Sequence, residues 1–160
     1  MSMLQPYYRK FFFFFNDVQE GISADLVFIR KALQIFDCQV YIKGTKILTM
    51  GQKVMNVFFC YTNGARVADP LLGINITDLC EGSFFGDYQI LLGIDSTFDY
   101  EATPDIKRSV SDSKDNIDTT WCLTIPAAYF INLCNEFPEF RSYLTSRGKK
   151  RRSFLLFTKR

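Results

Sequence analysis

The sequence of 160 residues contains no histidine. That absence removes serine–histidine triads, histidine-ligated zinc and histidine general bases from consideration. It also lacks a long apolar run. The richest stretch, Phe11–Phe15, is five residues long, against the ~18 of a membrane-spanning segment. There is no CxxC pair. The five cysteines, Cys38, Cys60, Cys80, Cys122 and Cys134, form an odd set without close spacing. They read as free thiols, mostly buried in apolar stretches. The N-terminus shows neither an apolar core long enough for a leader nor a small-residue cleavage site, so a cytosolic location is expected. No catalytic motif and no metal-ligand spacing is visible. We expect neither an enzyme nor a bound metal or cofactor, and no nucleic-acid partner.

What is present is a dense apolar inventory. Hydrophobic residues make up 48% of the chain, including 17 phenylalanines, which excludes a disordered polymer. A single domain of this size buries roughly 68–70% of its unfolded surface, enough for a core without disulfides or metals. The net charge of +2 is unevenly placed. Residues 147–160 carry seven Lys/Arg and no acid, while the rest of the chain carries 12 bases against 17 acids. The end reads as a solvated basic tail on a mildly acidic domain, or as a contact with anionic lipid.

Along the chain, residues 1–20 hold aromatics that need cover, and a helical segment packed on the domain or on a neighbouring chain is expected. "SADLVFIRKALQIF" follows, with Ser23 as candidate N-cap and Leu26, Ile29, Leu33 and Phe36 at helical spacing, predicting a helix over about 24–35. From Cys38 the pattern turns to β-branched and aromatic runs cut by Gly44, Gly51 and Asn63-Gly64. Asn-Gly between apolar runs predicts a hairpin joining "VFFCY" to "ARVAD". "GINITDLCEGSFFG", "TFDYEA" and "TTWCLTIP" supply further strands. The polar "TPDIKRSVSDSKDNID" reads as a long loop or insert. Pro126 opens a helix carrying Phe130, Leu133 and Cys134 on one face, and Pro138 opens another with Phe140, Tyr143 and Leu144. The predicted class is α+β: an antiparallel β-roll or jelly roll flanked by an N-terminal helix and two C-terminal helices.

Three stretches within that order resemble the cyclic nucleotide-binding domain family, over about residues 22–150. They are "KILTMGQKVMNVFFCYTNGARVAD", "EGSFFGDYQILLG" and "FPEFRSYLTSRGKKRR". The first is similar to the family's strand pair, with Gly51-Gln52 in place of the usual Gly-Asp. The second is similar to its phosphate-binding cassette. The third resembles its closing helices, above all in voltage-gated and cyclic-nucleotide-gated potassium channels. The wording "FGDYQILL" resembles channel homologues from ciliates. The resemblance implies a cassette made of Phe85, Gly86, Asp87, Tyr88, Ser96 and Thr97. Asp87 stands at the position of the ribose-binding glutamate, one methylene shorter. The family's phosphate-binding arginine falls at position 96, where this sequence has Ser96. A charge-assisted phosphate contact is worth roughly 1.5–3 kcal/mol, so cAMP and cGMP are expected as weak ligands at most. In the related homology domains of ether-à-go-go-type channels, the chain's own C-terminal stretch can occupy the pocket. Here two fillers are available, "SFLLFTKR" and the insert carrying Lys107 and Arg108, and the former is favoured because it has apolar surface to bury.

The sequence therefore points to a regulatory domain of a channel-type protein, on the cytoplasmic face of a membrane, with weak or lost cyclic nucleotide binding. Two alternatives stay open: a working cAMP or cGMP sensor, and a stand-alone scaffold module. The expected organisation is a linker-like aromatic segment (1–21), the domain (22–148) and a basic tail (149–160). Expected partners are the remainder of the channel, further copies of the chain, and anionic lipid through Lys149, Lys150, Arg151 and Arg152.

Overall fold

The computed structural model describes residues 5–103 and 119–158. Lys107 and Arg108 of the polar insert lie outside the described residues. Two short helices, α1 (Gln5–Lys10) and α2 (Phe12–Phe15), and a two-stranded ribbon, β1 (Asn16–Asp17) with β2 (Ile22–Ser23), precede helix α3 (Leu26–Ile35). Strands β3 (Asp37–Ile42), β4 (Lys46–Leu48), β5 (Asn56–Thr62), β6 (Gly64–Asp69), β7 (Ile74–Leu79) and β8 (Phe84–Phe85) follow. Then come α4 (Asp87–Leu92), β9 (Asp99–Thr103), β10 (Thr119–Pro126), α5 (Ala127–Glu136) and α6 (Pro138–Thr158). Strands β3 to β10 form two antiparallel sheets, ordered β3-β10-β5-β8 and β4-β9-β6-β7. This is the predicted β-roll with helices at both ends.

Side-chain alternation along β5 explains how the layers stack. Phe58 and Cys60 join a core of residues from both sheets, with Leu48, Val67, Phe85 and Tyr100. Val57 and Phe59 point the other way, into a second core with Phe28, Leu33, Phe130, Leu133 and Leu144 from the helices. A strand buried on both faces has to be apolar throughout, and "NVFFCYT" nearly is. The N-terminal aromatics complete the helical core: Phe11, Phe14 and Phe15 are each 0% exposed.

Three local expectations are corrected. The cap of α3 is Asp25, whose carboxylate accepts from the Val27 N–H at 2.7 Å, rather than Ser23. The two runs flanking Asn63-Gly64 are not paired with each other. β5 pairs with β10 and β8, whereas β6 pairs with β7 and β9. A two-residue hairpin of the Asn-Gly kind needs positive φ at both central residues, and only Asn63 has it, at 63°. Gly64 serves another purpose: a Cβ there would lie 1.8 Å from the Leu79 carbonyl oxygen. The dipeptide is a corner that carries the chain from one sheet to the other. The third concerns extent: the helix opened by Pro138 does not stop with the basic run but continues through Thr158. No helix among the described residues is long and apolar enough to cross a membrane. The three buried thiols are Cys60, Cys122 and Cys134, and burial pushes Cys134 up to about 12. Cys38 and Cys80 are exposed.

Candidate functional site

The stretch "EGSFFGDYQILLG" folds as a short strand, a left-handed turn and a six-residue helix. Gly86 has φ of 91°. Its missing side chain is required twice over, because a Cβ would also sit 2.6 Å from the Asn56 carbonyl oxygen. Phe85, just before it, is stacked between Phe58 at 5.0 Å and Tyr100 at 4.5 Å. This stack fixes the floor on which the turn rests.

Asp87 opens α4 and is 0% exposed. Its carboxylate does not face an empty space. Arg151 Nη1 donates to both oxygens at 2.9 and 2.8 Å, and Arg147 Nη2 lies 3.7 Å away. Arg151 Nη2 also donates to the Phe84 carbonyl at 2.9 Å. The guanidinium groups of Arg147 and Arg151 lie over the Phe84 ring, at 4.6 and 4.5 Å from its centroid. Arg147 further donates to the Phe13 and Phe14 carbonyls. Burial lowers the Arg147 guanidinium from its usual value, with Asp87's charge acting against that. Arg151 moves the other way. Burial opposes its charge, but the Asp87 carboxylate and its hydrogen bonds outweigh that and raise it.

Helix α6 therefore lies directly across the cassette. Its approach is set by Gly148, where an added Cβ would stand 2.1 Å from Tyr88 Cβ. Tyr88 is 1% exposed, and burial raises its hydroxyl above the usual range. In a solvated helix, Gly→Ala gains about 1 kcal/mol. Here Gly148→Ala is expected to lose about 2 kcal/mol or more, because the clash is with a backbone-proximal carbon that cannot rotate away. Urea unfolding of the variant measures this, and a stabilised variant would show that α6 does not seat on Tyr88.

The remaining cassette positions lie elsewhere. Ser96 is 3% exposed. Its hydroxyl donates to the Phe98 carbonyl at 2.7 Å, and its backbone pairs with Gly51 and Gln52. It closes a loop on the β4 side. Thr97 beside it is half-buried. Tyr100 is buried, its hydroxyl accepts from Gln89 Nε2 at 3.2 Å, and burial pushes it well above the usual phenol range. Next to the cassette, a cavity of about 370 Å³ remains between the second sheet and α6. Phe154 and Leu155 from "SFLLFTKR" form part of its wall, and Leu155 and Leu156 pack on the inter-sheet core. The sequence reading did not single out Arg147, and it assigned Arg151 to anionic lipid rather than to Asp87. A signal was available in their spacing: Tyr143, Arg147, Arg151 and Leu155 recur every four residues.

No protein-family model and no curated protein matches the chain. Solved structures do match. One is cAMP-bound PfPKA-R (141–441), with a TM-score of 0.57 and 14% identity over 79% of this chain. The chain spans 39% of that structure's length. The likeness establishes the fold, a cyclic nucleotide-binding-like β-roll.

Proposed function

We propose that this chain is a regulatory domain of a channel-type protein whose cyclic nucleotide cassette is held closed by its own C-terminal helix. The observation that carries the reading is the Asp87–Arg151 pair. In the cassette pattern, Asp87 is the group that would accept from a ribose hydroxyl. Both of its oxygens are occupied by Arg151 instead. Ser96, at the position of the phosphate arginine, brings no charge and spends its hydroxyl on Phe98. A ligand would have to displace a buried ion pair without gaining a cation at position 96 for its phosphate. The channel context rests on the resemblance of "FPEFRSYLTSRGKKRR" to channel sequences, and it implies a position on the cytoplasmic face of a membrane. Regulation then passes through α6, the element that covers the cassette and leads to the chain's C-terminal end. The structural match to a regulatory rather than a catalytic protein supports a non-enzymatic role.

The cavity beside the cassette favours a second reading, a working cAMP or cGMP sensor with α6 as its lid. Calorimetric titration of the purified chain separates the two. We expect dissociation constants above about 10 μM for both nucleotides. Nanomolar binding of either would establish the sensor and overturn the closed cassette.

A further inference from the structure

We propose that the cavity beneath α6 binds a free amphipathic monoanion, an aliphatic body with one negative head, as in a medium-chain carboxylate. The inference rests on the closed-cassette reading and names what the same region accepts in place of a nucleotide. At about 370 Å³ the cavity lies near the small end of ligand sites, which run from ~300 to ~1,000 Å³. Its walls are largely apolar, three aliphatic side chains and the three aromatic ones of Phe85, Tyr100 and Phe154. Val67 and Leu79 come from the second sheet and Leu155 from α6. Phe85 lines it too, but both of its ring faces are taken by Phe58 and Tyr100. It offers only an edge, and a methylene chain packs against that edge, the exposed Phe154 ring and the branched carbons alike.

The charge at the mouth selects the head group. Lys150 and Arg151 both line the cavity, and Arg147 lies 3.7 Å from the Asp87 carboxylate that Arg151 holds. One carboxylate, Asp87, thus faces two arginines. Among the described residues Lys150 has no carboxylate within ion-pair distance. An incoming anion therefore meets positive charge that no described carboxylate pairs, next to apolar walls that strengthen the attraction. A single negative charge fits. Apart from the two cations, the only other polar side chains on the lining are the Thr77 and Tyr100 hydroxyls, too few to solvate a polyanion.

The test is calorimetric titration of the full chain with decanoate, below its aggregation range, and with 1-decanol. Decanoate is expected to saturate one site and to bind about tenfold more tightly than the alcohol, the scale of one charge-assisted contact. Lys150→Ala should remove most of that difference. Thr77→Trp, which fills the cavity from a β7 strand position, should abolish binding while the circular dichroism spectrum stays unchanged. Absence of saturation, equal binding of the alcohol, or full binding by the Thr77→Trp variant overturns the proposal. Adding cAMP to the decanoate-loaded protein keeps the two readings apart. Displacement at low micromolar cAMP would overturn the closed cassette and leave the anion site standing. Failure of both ligands to bind would overturn the anion site alone.

Discussion

Replacing Arg151 with alanine is expected to destabilise the domain by about 3 kcal/mol, measured as a lowered urea midpoint at constant slope. The magnitude follows from the burial of its partner. Asp87 is 0% exposed, and Arg151 supplies both of its close hydrogen bonds. Breaking a buried pair by removing one member costs roughly 3–5 kcal/mol, since the remaining charge cannot regain water. The lower end applies here because Arg147 stays within 3.7 Å of the carboxylate. The Phe84 carbonyl loses a donor in the same variant. The loss should depend on Asp87. In an Asp87→Asn background the further cost of Arg151→Ala should shrink by about 1–3 kcal/mol, the coupling expected for groups in direct contact. Lys150→Ala, one residue away and exposed, should stay within about 0.5 kcal/mol. If Arg151→Ala behaves like Lys150→Ala, the basic run is a separable tail, as its composition alone predicts.

That contrast marks where the sequence was legible. The helices α3 and α5 stand out because apolar residues fall at helical spacing and the ends carry capping or proline signals. The cassette turn is legible because Gly-Asp after Phe-Phe combines a glycine needing left-handed backbone with an acid at a helix start. The packing of helix α6 past Leu144 was not. Its inward face continues through Gly148, Arg151 and Leu155, at spacings of four, three and four. The period is correct, but a glycine and an arginine occupy positions where apolar residues are sought. The reason lies in the partner. Gly148 is small because Tyr88 is against it, and Arg151 is charged because Asp87 is buried beneath it. The Asn63-Gly64 corner failed for a related reason. A strong local hairpin signal was outweighed by the contact between Gly64 and the Leu79 backbone, which no local pattern reports. The site followed the same division. Residues near in sequence, Phe85 to Tyr88, could be placed together, whereas the partner of Asp87, 64 residues further on, could not.

Phe14→Ala is expected to cost about 3–5 kcal/mol, while Phe13→Ala, its neighbour in the same five-phenylalanine run, should cost less than about 0.5 kcal/mol. The two side chains differ only in direction. Phe13 is 72% exposed and Phe14 is 0% exposed. Phe14 meets Phe59 at 4.9 Å, Phe84 at 4.9 Å and Phe130 at 6.4 Å. The guanidinium of Arg147 lies 5.2 Å from its ring centroid. It thus joins the first sheet, the cassette strand, α5 and α6 in one contact set. Removing it opens a cavity among rings already locked edge to face, which have little freedom to close the gap. The loss should reach the cassette as well. Phe84 and Arg147 would each lose a neighbour, so the Gly148 and Arg151 effects should not add simply with that of Phe14. The N-terminal segment is further tied down by the Lys10–Glu81 ion pair and by Tyr143 donating to Asp17. A chain beginning at residue 22, the boundary that composition favours, lacks Phe11, Phe14 and Phe15 together and is expected not to fold cooperatively. Chemical unfolding of the two single variants and the shortened chain decides the matter. A shortened chain with a wild-type midpoint, or equal losses for Phe13 and Phe14, would mean that the run packs on something other than this domain.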